Sequence, residues 1–372
     1  MKKIVFISIM LLVSVLSVYA QIMPITTEPD GGNKKATVSE QIGIVKIEIK
    51  YSRPGVKGRE GHIWGTNVAH YGFKDLGHGT SYAAPWRAGA NENTTISFSH
   101  PVKIEGKDLP AGTYGFFIAL GEEESTLIFS KNATSWGSFY YEPQADALRV
   151  TIKNQTVPAS MEWLKYDFIN QTDSTSAITL TWEKRMMAFT VAAETKKLQI
   201  EAFKQDLKTT REPNDFFTAA NYCLQNNIEL EQALAWIDRG IYFRVMGRKT
   251  FLTLNTRAEI LMKLNRKEEA KKTLADAIEY GTDMQEVHYY ARRFLNMGLT
   301  EESYNYYKHN YDKFPNEMIT NVGMARAYSA KGDYKKALTY LKTAQPLAKD
   351  DVNKNNIAGM IKKLEEGKDI NK

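Results

Sequence analysis

Residues 325–344 read A-R-A-Y-S-A-K-G-D-Y-K-K-A-L-T-Y-L-K-T-A, and their small and large apolar residues recur with the period of a helix. The same pattern occurs twice before, with starts at Ala258, Ala291 and Ala325 that lie 33 and then 34 residues apart. The recurring positions are Ala258, Leu261, Ala270, Leu274 and Ala277; Ala291, Phe294, Ser303 and Tyr307; and Ala325, Tyr328, Ala337, Leu341 and Ala344. Small residues at these places let two antiparallel helices approach closely, and the large apolar residues fill the gaps between successive pairs. The sequence therefore predicts stacked helical hairpins.

This spacing resembles the tetratricopeptide repeat, and Pro315 supplies the helix-ending proline that the repeat carries. The resemblance covers residues 213–367, with a degenerate first unit on Asn221, Leu224, Ala233 and Ile237 and a capping helix at 352–367. We expect a linker helix at 195–212 and a repeat domain at 213–372. A generic array of helical hairpins is the alternative.

Residues 36–194 show a different period, since short β-prone runs alternate with turn signals. The runs are I-V-K-I-E-I-K-Y (44–51), T-T-I-S-F-S (94–99), T-Y-G-F-F-I-A-L (113–120), S-T-L-I-F-S (125–130), A-L-R-V-T-I-K (147–153), L-K-Y-D-F-I-N (164–170) and A-I-T-L-T-W-E-K (177–184). Many short strands at near-regular spacing indicate an antiparallel β-sandwich or barrel, in which Ile178, Leu180 and Trp182 share one face. The chain is thus predicted to be all-β plus all-α: an antiparallel β-sandwich followed by a tetratricopeptide-type α-solenoid.

Four ordered motifs give the strand-rich half a resemblance to domain of unknown function 2911. They are Y-S-R-P-G-V-K-G-R-E (51–60), I-W-G (63–65), W-R-A-G-A-N-E-N-T-T-I (86–96) and K-I-E-G-K-D-L-P-A-G-T-Y-G-F-F (103–117). The resemblance implies an exported protein of a Bacteroidetes-type bacterium, and it implies no known reaction.

The first 20 residues have the composition of a secretory signal peptide. Lys2 and Lys3 precede an apolar stretch from Ile4 to Val18, and Ala20 stands at a plausible cleavage point. An uncleaved anchor is the alternative, but the apolar run is short for a membrane span. We expect a flexible mature N-terminus at 21–35 and a soluble periplasmic or secreted protein with no transmembrane segment in the mature chain. The single cysteine, Cys223, can form no internal disulfide and is expected to be a core residue.

The formal net charge of +6 comes from interspersed charges without a basic block, which argues against a nucleic-acid partner. No nucleophile elbow, phosphate-binding loop or dinucleotide fingerprint is present, so a non-enzyme is favoured. The preferred function is binding or scaffolding in the cell envelope. A periplasmic hydrolase with a site in the loop of residues 86–93 is one alternative, and a purely structural β-sandwich is another.

The loop of residues 84–96, A-P-W-R-A-G-A-N-E-N-T-T-I, is the candidate site of the β half. Gly89 permits a backbone turn, and Arg87 can fork onto a carboxylate, with Glu92 the nearest candidate. One interpretation is a pocket for a small polar ligand such as a sugar or a carboxylate. The other is a structural lock that merely holds the loop. The candidate ligand-binding residues are Trp64, Trp86, Arg87, Asn91 and Glu92.

Three histidines, His62, His70 and His78, share one long loop and are weak metal candidates. Their even spacing matches no metal motif, so no cofactor is predicted.

In the repeat half, the first helix of each unit is expected to line a concave groove for a protein or peptide partner. The groove candidates are Asn255, Glu259, Lys263, His288, Arg292, Asn296 and Arg326. Because cations predominate there, we expect the groove to prefer an acidic segment or a free carboxylate terminus, held by Lys263, Arg292 and Arg326. An ordinary solvated face is the alternative.

Overall fold

A computed structural model describes residues 32–372 and divides the chain into two compact units after Leu198. The predicted signal peptide and most of the predicted mature N-terminus lie outside the described residues. Among the residues described, no helix has both the length and the apolar character that a membrane span requires.

The first unit contains an antiparallel sheet of nine strands in the order β1-β2-β3-β6-β7-β8-β9-β4-β5 within residues 32–198. The strands are Lys34–Ile42 (β1), Val45–Arg53 (β2), Thr94–Phe98 (β3), Val102–Ile104 (β4), Lys107–Leu109 (β5), Gly112–Ala119 (β6), Glu124–Ser130 (β7), Asp146–Ile169 (β8) and Thr175–Ala192 (β9). The first strand starts two residues before the predicted boundary because Lys34 and Lys35 continue its pairing with Arg53 and Ser52. The antiparallel β class predicted from the sequence is confirmed.

The sheet folds over itself through β8, which joins two runs that the sequence presented as separate strands. The register between β8 and β9 shifts between Thr156 and Met161 and again between Met161 and Lys165, and such irregularities let a long strand bend. As a result the chain just after β2 meets the second half of β8. The Leu164 amide donates to the Pro54 carbonyl at 3.0 Å, and the Val56 amide donates to the Glu162 carbonyl at 2.8 Å.

The core of this unit forms between the facing parts of the folded sheet, as the strand alternation predicts. Ile47 and Ile49 of β2 share one apolar cluster with Ile178, Leu180 and Trp182 of β9, and all five are at most 1% exposed. The predicted common face of the last three residues is therefore confirmed.

The second unit is built from antiparallel helical hairpins. The helices are Thr195–Asp206 (α1), which crosses the boundary, Pro213–Asn226 (α2), Leu230–Tyr242 (α3), Phe251–Lys263 (α4), Lys267–Ala277 (α5), Met284–Asn296 (α6), Thr300–Lys313 (α7), Met318–Ala330 (α8), Tyr334–Ala344 (α9) and Asp351–Glu365 (α10). The hairpins α4–α5, α6–α7 and α8–α9 are the three units expected from the sequence, α2–α3 is the degenerate unit, and α10 occupies the position of the predicted cap.

The small residues of the repeat lie where helices approach most closely. Ala258, Ala291 and Ala325, the equivalent positions of three units, have no exposed surface. Cys223 is also fully buried, as predicted, and burial raises the pKa of its thiol to about 11. The helical unit is thus stabilised by close packing without a disulfide.

Candidate functional site

The three tryptophans around the loop of residues 84–96 pack against each other. Trp86 and Trp182 are stacked at 6.2 Å with an interplanar angle of 7°, and Trp64 meets each of them edge-on at 5.7 Å. Trp86 is only 4% exposed, and its backbone pairs with Ile118 of β6. Much of the surface of the Trp64 and Trp86 rings is therefore taken up by aromatic packing. The ring packing and the backbone pairing with Ile118 hold this part of the loop in place.

Backbone conformation in the loop also differs from the expectation. Ala88 and Asn91 adopt the left-handed region, with φ of 51° and 57°, whereas Gly89 has no positive φ. Gly89 instead lets the loop approach Ser52 of β2 and Thr94 closely. A Cβ at this position would lie 2.8 Å from the Thr94 Oγ1 and 3.0 Å from the Ser52 carbonyl oxygen. A side chain at this position would push the loop away from β2.

The predicted fork from Arg87 onto Glu92 is not formed. Glu92 instead forms an ion pair with Lys35 at 2.7 Å and accepts a longer hydrogen bond from the Ser52 hydroxyl. The hydrogen bond from Lys35 is the main reason that the pKa of Glu92 is lowered. Lys35 belongs to β1, which runs beside the strand that carries Ser52. An ionised Glu92 is poorly suited to act as a proton donor at neutral pH.

Arg87 is held by other groups. Its Nη1 donates to the Asn91 carbonyl at 2.7 Å, and its guanidinium carbon lies 4.9 Å from the centre of the Phe139 ring. Gly137 leaves room for the guanidinium, since a Cβ there would lie 2.3 Å from the central carbon. Within residues 32–372, no carboxylate forms an ion pair with Arg87.

Arg87 lines a cleft of about 620 Å³ beside the Trp cluster. The other lining residues come from the segment after β2, from the 86–91 loop, and from a few single positions: Asn33, Pro54, Lys57, Arg59, Val68, Trp86, Gly89, Ala90, Asn91 and Trp182. Glu92 and Trp64 are not among them. Arg59 was not among the residues predicted from the sequence, although its place in the 51–60 motif was the available signal.

The three loop histidines do not come together. His70 is buried and its Nε2 lies 2.9 Å from the Ala84 carbonyl, whereas His62 and His78 are exposed. No cluster of three metal-binding side chains occurs in the described part of the chain.

Two of the predicted groove residues in the helical unit are structural, which corrects the expectation that they are exposed. Asn255 is fully buried, donates to the Phe251 carbonyl at 2.8 Å and accepts from the Tyr306 hydroxyl at 2.7 Å. Glu259 is 4% exposed and pairs with Arg293 at 2.5 Å. Tyr306 and Arg293 belong to the next repeat, so these two polar contacts join one repeat to the next.

The remaining groove candidates are more accessible, and three of them meet in one pocket. Lys263 and Asn296 are exposed, and the Lys263 ammonium donates to Asn227. His288, Arg292 and Arg326 line a pocket of about 400 Å³. The pocket lies between α6, α8 and α10, and the residues that complete it are Met318, Ile319, Val322, Asn353, Asn356, Ile357 and Met360.

The repeat geometry explains why these cations converge. Arg292 and Arg326 are 34 residues apart and therefore occupy equivalent positions in successive units, and His288 lies one turn before Arg292 on α6. The contribution of α10 to this pocket was not predicted, because residues 352–367 were expected only to cap the array.

The charged residues that line this pocket are all basic. Burial, followed by the charges of Arg326 and Arg292, lowers the pKa of His288 to about 4, so the imidazole is neutral at pH 7. Arg326 donates to the Asn371 side chain at 3.3 Å, while its Nε and the His288 Nδ1 are buried without a hydrogen-bond partner in the described chain. The pocket lining contains two arginines and no acidic residue.

The architecture defines the class of protein: a β-sheet domain followed by an array of helical hairpins. Residues 33–191 match the family model described as a protein of unknown function (DUF2911). Residues 253–280 and 320–351 match a tetratricopeptide-repeat model, and these segments correspond to the hairpins α4–α5 and α8–α9. The two similarities occur in the order that the sequence motifs indicated.

Several solved structures are similar to the chain, and each covers less than half of it. The C-terminal part of a repeat-containing protein from Cytophaga hutchinsonii is 15% identical over 46% of this chain and 67% of its own, with a TM-score of 0.36. YrrB, described as a tetratricopeptide protein with an unusual peptide-binding site, is 14% identical over 44% of this chain and 84% of its own, with a TM-score of 0.32. A repeat protein from Parabacteroides merdae is 12% identical over 42% and 61%, with a TM-score of 0.33. No curated protein matches the chain.

Proposed function

We propose that this protein is an exported scaffold or adaptor whose repeat unit binds an acidic peptide segment or a free carboxylate terminus. The proposal rests on tetratricopeptide repeats, which present a concave surface to extended peptides. Within that surface, the pocket of His288, Arg292 and Arg326 is the site where the peptide would be anchored.

The observation that carries this proposal is the pair of arginines in equivalent positions of two repeats, in a pocket with no acidic lining residue. Arg292 is exposed and free to reach a ligand, while Arg326 is partly buried at the base of the same face. A carboxylate between them would accept charge-assisted hydrogen bonds from both guanidinium groups. The apolar side chains Val322, Ile357 and Met360 would contact an adjacent apolar residue of the peptide.

The test is peptide binding by the full chain, measured by fluorescence anisotropy. The peptides share one sequence except for the C-terminal segment, which is acidic, neutral or basic. Each peptide is made with a free and with an amidated C-terminus. The double variant Arg292→Glu/Arg326→Glu is expected to weaken binding of the acidic peptides at least tenfold, since each charge-assisted contact contributes about 1.5 to 3 kcal/mol. The control is Lys342→Glu, which reverses an exposed cation of α9 that does not line the pocket.

Equal affinity for acidic and basic peptides, or an unchanged affinity in the double variant, would count against an anionic anchor. Loss of binding only on amidation would identify the free carboxylate terminus as the recognised group. Loss only with the acidic side chains removed would identify an internal acidic segment.

Export is the second part of the proposal and is supported by the sequence of residues 1–20. Mass spectrometry of the protein from fractionated cells is expected to find a mature chain that begins at Gln21 outside the cytoplasm. An intact N-terminus in the cytoplasmic fraction would contradict export without affecting the peptide-binding proposal.

A further inference from the structure

The cleft of the β unit carries a concentration of positive charge that the peptide-binding proposal does not use. Lys57, Arg59 and Arg87 line it, and its described lining contains no aspartate or glutamate. Burial lowers the pKa of Arg87 from its ordinary value. The group nevertheless stays charged, because a guanidinium does not lose its proton in proteins. A partly buried cation therefore faces a cleft with two others.

Both arginines are held in place by the backbone. Arg59 donates from Nε to the Val56 carbonyl at 2.9 Å and from Nη2 to the Gly55 carbonyl at 2.7 Å. Arg87 donates from Nη1 to the Asn91 carbonyl and lies over the Phe139 ring. These contacts orient the guanidinium groups without neutralising their charge. Preorganised donors of this kind lose little conformational entropy on binding an anion.

Two acidic residues next to lining segments have other partners. Glu92 pairs with Lys35, and Glu162 accepts from the backbone amide of Lys57 at 3.1 Å. Neither lines the cleft. Among the described residues, the cleft is thus lined by three cations and by no carboxylate that would neutralise them.

A second, independent observation concerns Trp182, which also lines the cleft. Its side chain is 1% exposed, and its indole nitrogen is buried without a hydrogen-bond partner among residues 32–372. Buried N–H groups almost always have a partner in native structures. The lining residue Trp182 thus retains an N–H donor without a partner among the described residues.

We propose that this cleft of the β unit binds a small molecule that carries an oxyanion, either a carboxylate or a phosphate, through Arg59 and Arg87. The volume of about 620 Å³ falls within the range of small-molecule sites. Pro54, Val68 and Trp86 belong to the apolar part of the lining, so the ligand has a compact apolar or sugar-like body beside its acidic group. Neutral sugars bind weakly or not at all.

The experiment is isothermal titration of the full chain with matched probes at constant ionic strength. The probes are inorganic phosphate and glucose 6-phosphate for the phosphate class, citrate and glucuronate for the carboxylate class, and glucose as the neutral reference. At least one oxyanion is expected to bind, and Arg87→Gln and Arg59→Gln are each expected to weaken that binding about tenfold or more, the range for one lost charge-assisted contact.

Arg185→Gln is the matched control. Arg185 resembles Arg87 in lying 4.8 Å over an aromatic ring, that of Trp64, and in donating to a backbone carbonyl, that of Gly121, but it does not line the cleft. Its substitution is expected to leave the affinity unchanged. Arg59→Gln keeps the test valid if Arg87→Gln fails to fold, because within residues 32–372 the Arg59 side chain hydrogen-bonds only to its own loop.

Three results would overturn the proposal: no oxyanion binds, glucose binds as tightly as glucuronate and glucose 6-phosphate, or the control loses as much affinity as Arg59→Gln. Tighter binding by one probe class, weakened by Arg59→Gln or Arg87→Gln, supports the proposal and identifies the acidic group of the ligand. Dependence of the affinity on Arg59 and Arg87, which line the cleft of the β unit, distinguishes this site from anion binding by the repeats.

Discussion

Replacing His288 with glutamine is expected to remove an acid-induced destabilisation of the helical repeat unit. Burial, and then the charges of Arg326 and Arg292, lower the pKa of this imidazole from 6.5 to about 4. In the unfolded chain the imidazole regains its ordinary pKa and takes up a proton below it, whereas the folded chain keeps it neutral until the pH approaches 4. The unfolded state therefore binds more protons in this window, and stability falls as the pH falls. At pH 5, roughly 1.5 units below the unfolded pKa, the loss is about 2 kcal/mol.

The assay is urea unfolding of the full chain at about pH 7.5 and about pH 5, followed by far-ultraviolet circular dichroism of the helical transition. Other titrating groups are common to both chains, so the difference between wild type and His288→Gln isolates this imidazole. His62→Gln, at an exposed position of the β unit, is expected to behave like the wild type. Equal acid losses in wild type and His288→Gln, or a nuclear magnetic resonance titration of His288 with a midpoint near 6.5, would refute the reasoning.

Three further substitutions test the packing. Trp86→Ala is expected to destabilise the β unit by about 3 to 5 kcal/mol in urea unfolding followed by tryptophan fluorescence, since a ring that is 4% exposed leaves a cavity; a loss below about 1 kcal/mol would contradict the lock. Arg293→Ala should cost the helical unit about 3 to 5 kcal/mol by leaving the buried Glu259 carboxylate unpaired, and addition of Glu259→Gln should recover part of that loss. Asn255→Ala should cost about 1 to 3 kcal/mol, because the Tyr306 hydroxyl loses its 2.7 Å acceptor; an unchanged urea midpoint would show that this bond adds no net stability.

Periodic features of the molecule could be predicted from the sequence because they depend on residues close together in the chain. The spacing of Ala258, Ala291 and Ala325 follows from helix geometry alone, and each of these residues is buried where two helices meet. The alternation at Ile178, Leu180 and Trp182 likewise follows from strand geometry. Periodicity could not reveal that β8 continues through residues 154–163, because its bend breaks the alternation.

The sites were only partly predictable because their partners come from distant parts of the chain. Asn255 and Glu259 looked like solvent-facing polar residues on α4, but Tyr306 and Arg293 of the next repeat bury them. A polar residue on a helix gives no local signal that distinguishes a solvated side chain from one with a tertiary partner.

The same limit applied to the loop of residues 84–96. Glu92 is nearest to Arg87 in sequence, yet it pairs with Lys35 because β1 and β2 run antiparallel beside the end of the loop. The basic partner of Glu92 could be assigned only after the strand order was known.

Arg87 and Arg326, one from each proposed anion site, share a physical property that Arg293 and Arg149 lack. Desolvation acts to lower the pKa of Arg293 and Arg149, but hydrogen bonds from these side chains to Glu259 and Asp146 outweigh it, and both pKa values are raised. For Arg87 and Arg326 desolvation dominates, and both pKa values are lowered. A guanidinium whose desolvation is not offset by a carboxylate is destabilised relative to water, and a bound carboxylate or phosphate would reduce that penalty. The binding free energy of an anion at either site therefore includes the relief of the desolvation penalty that the arginine carries in the unliganded chain.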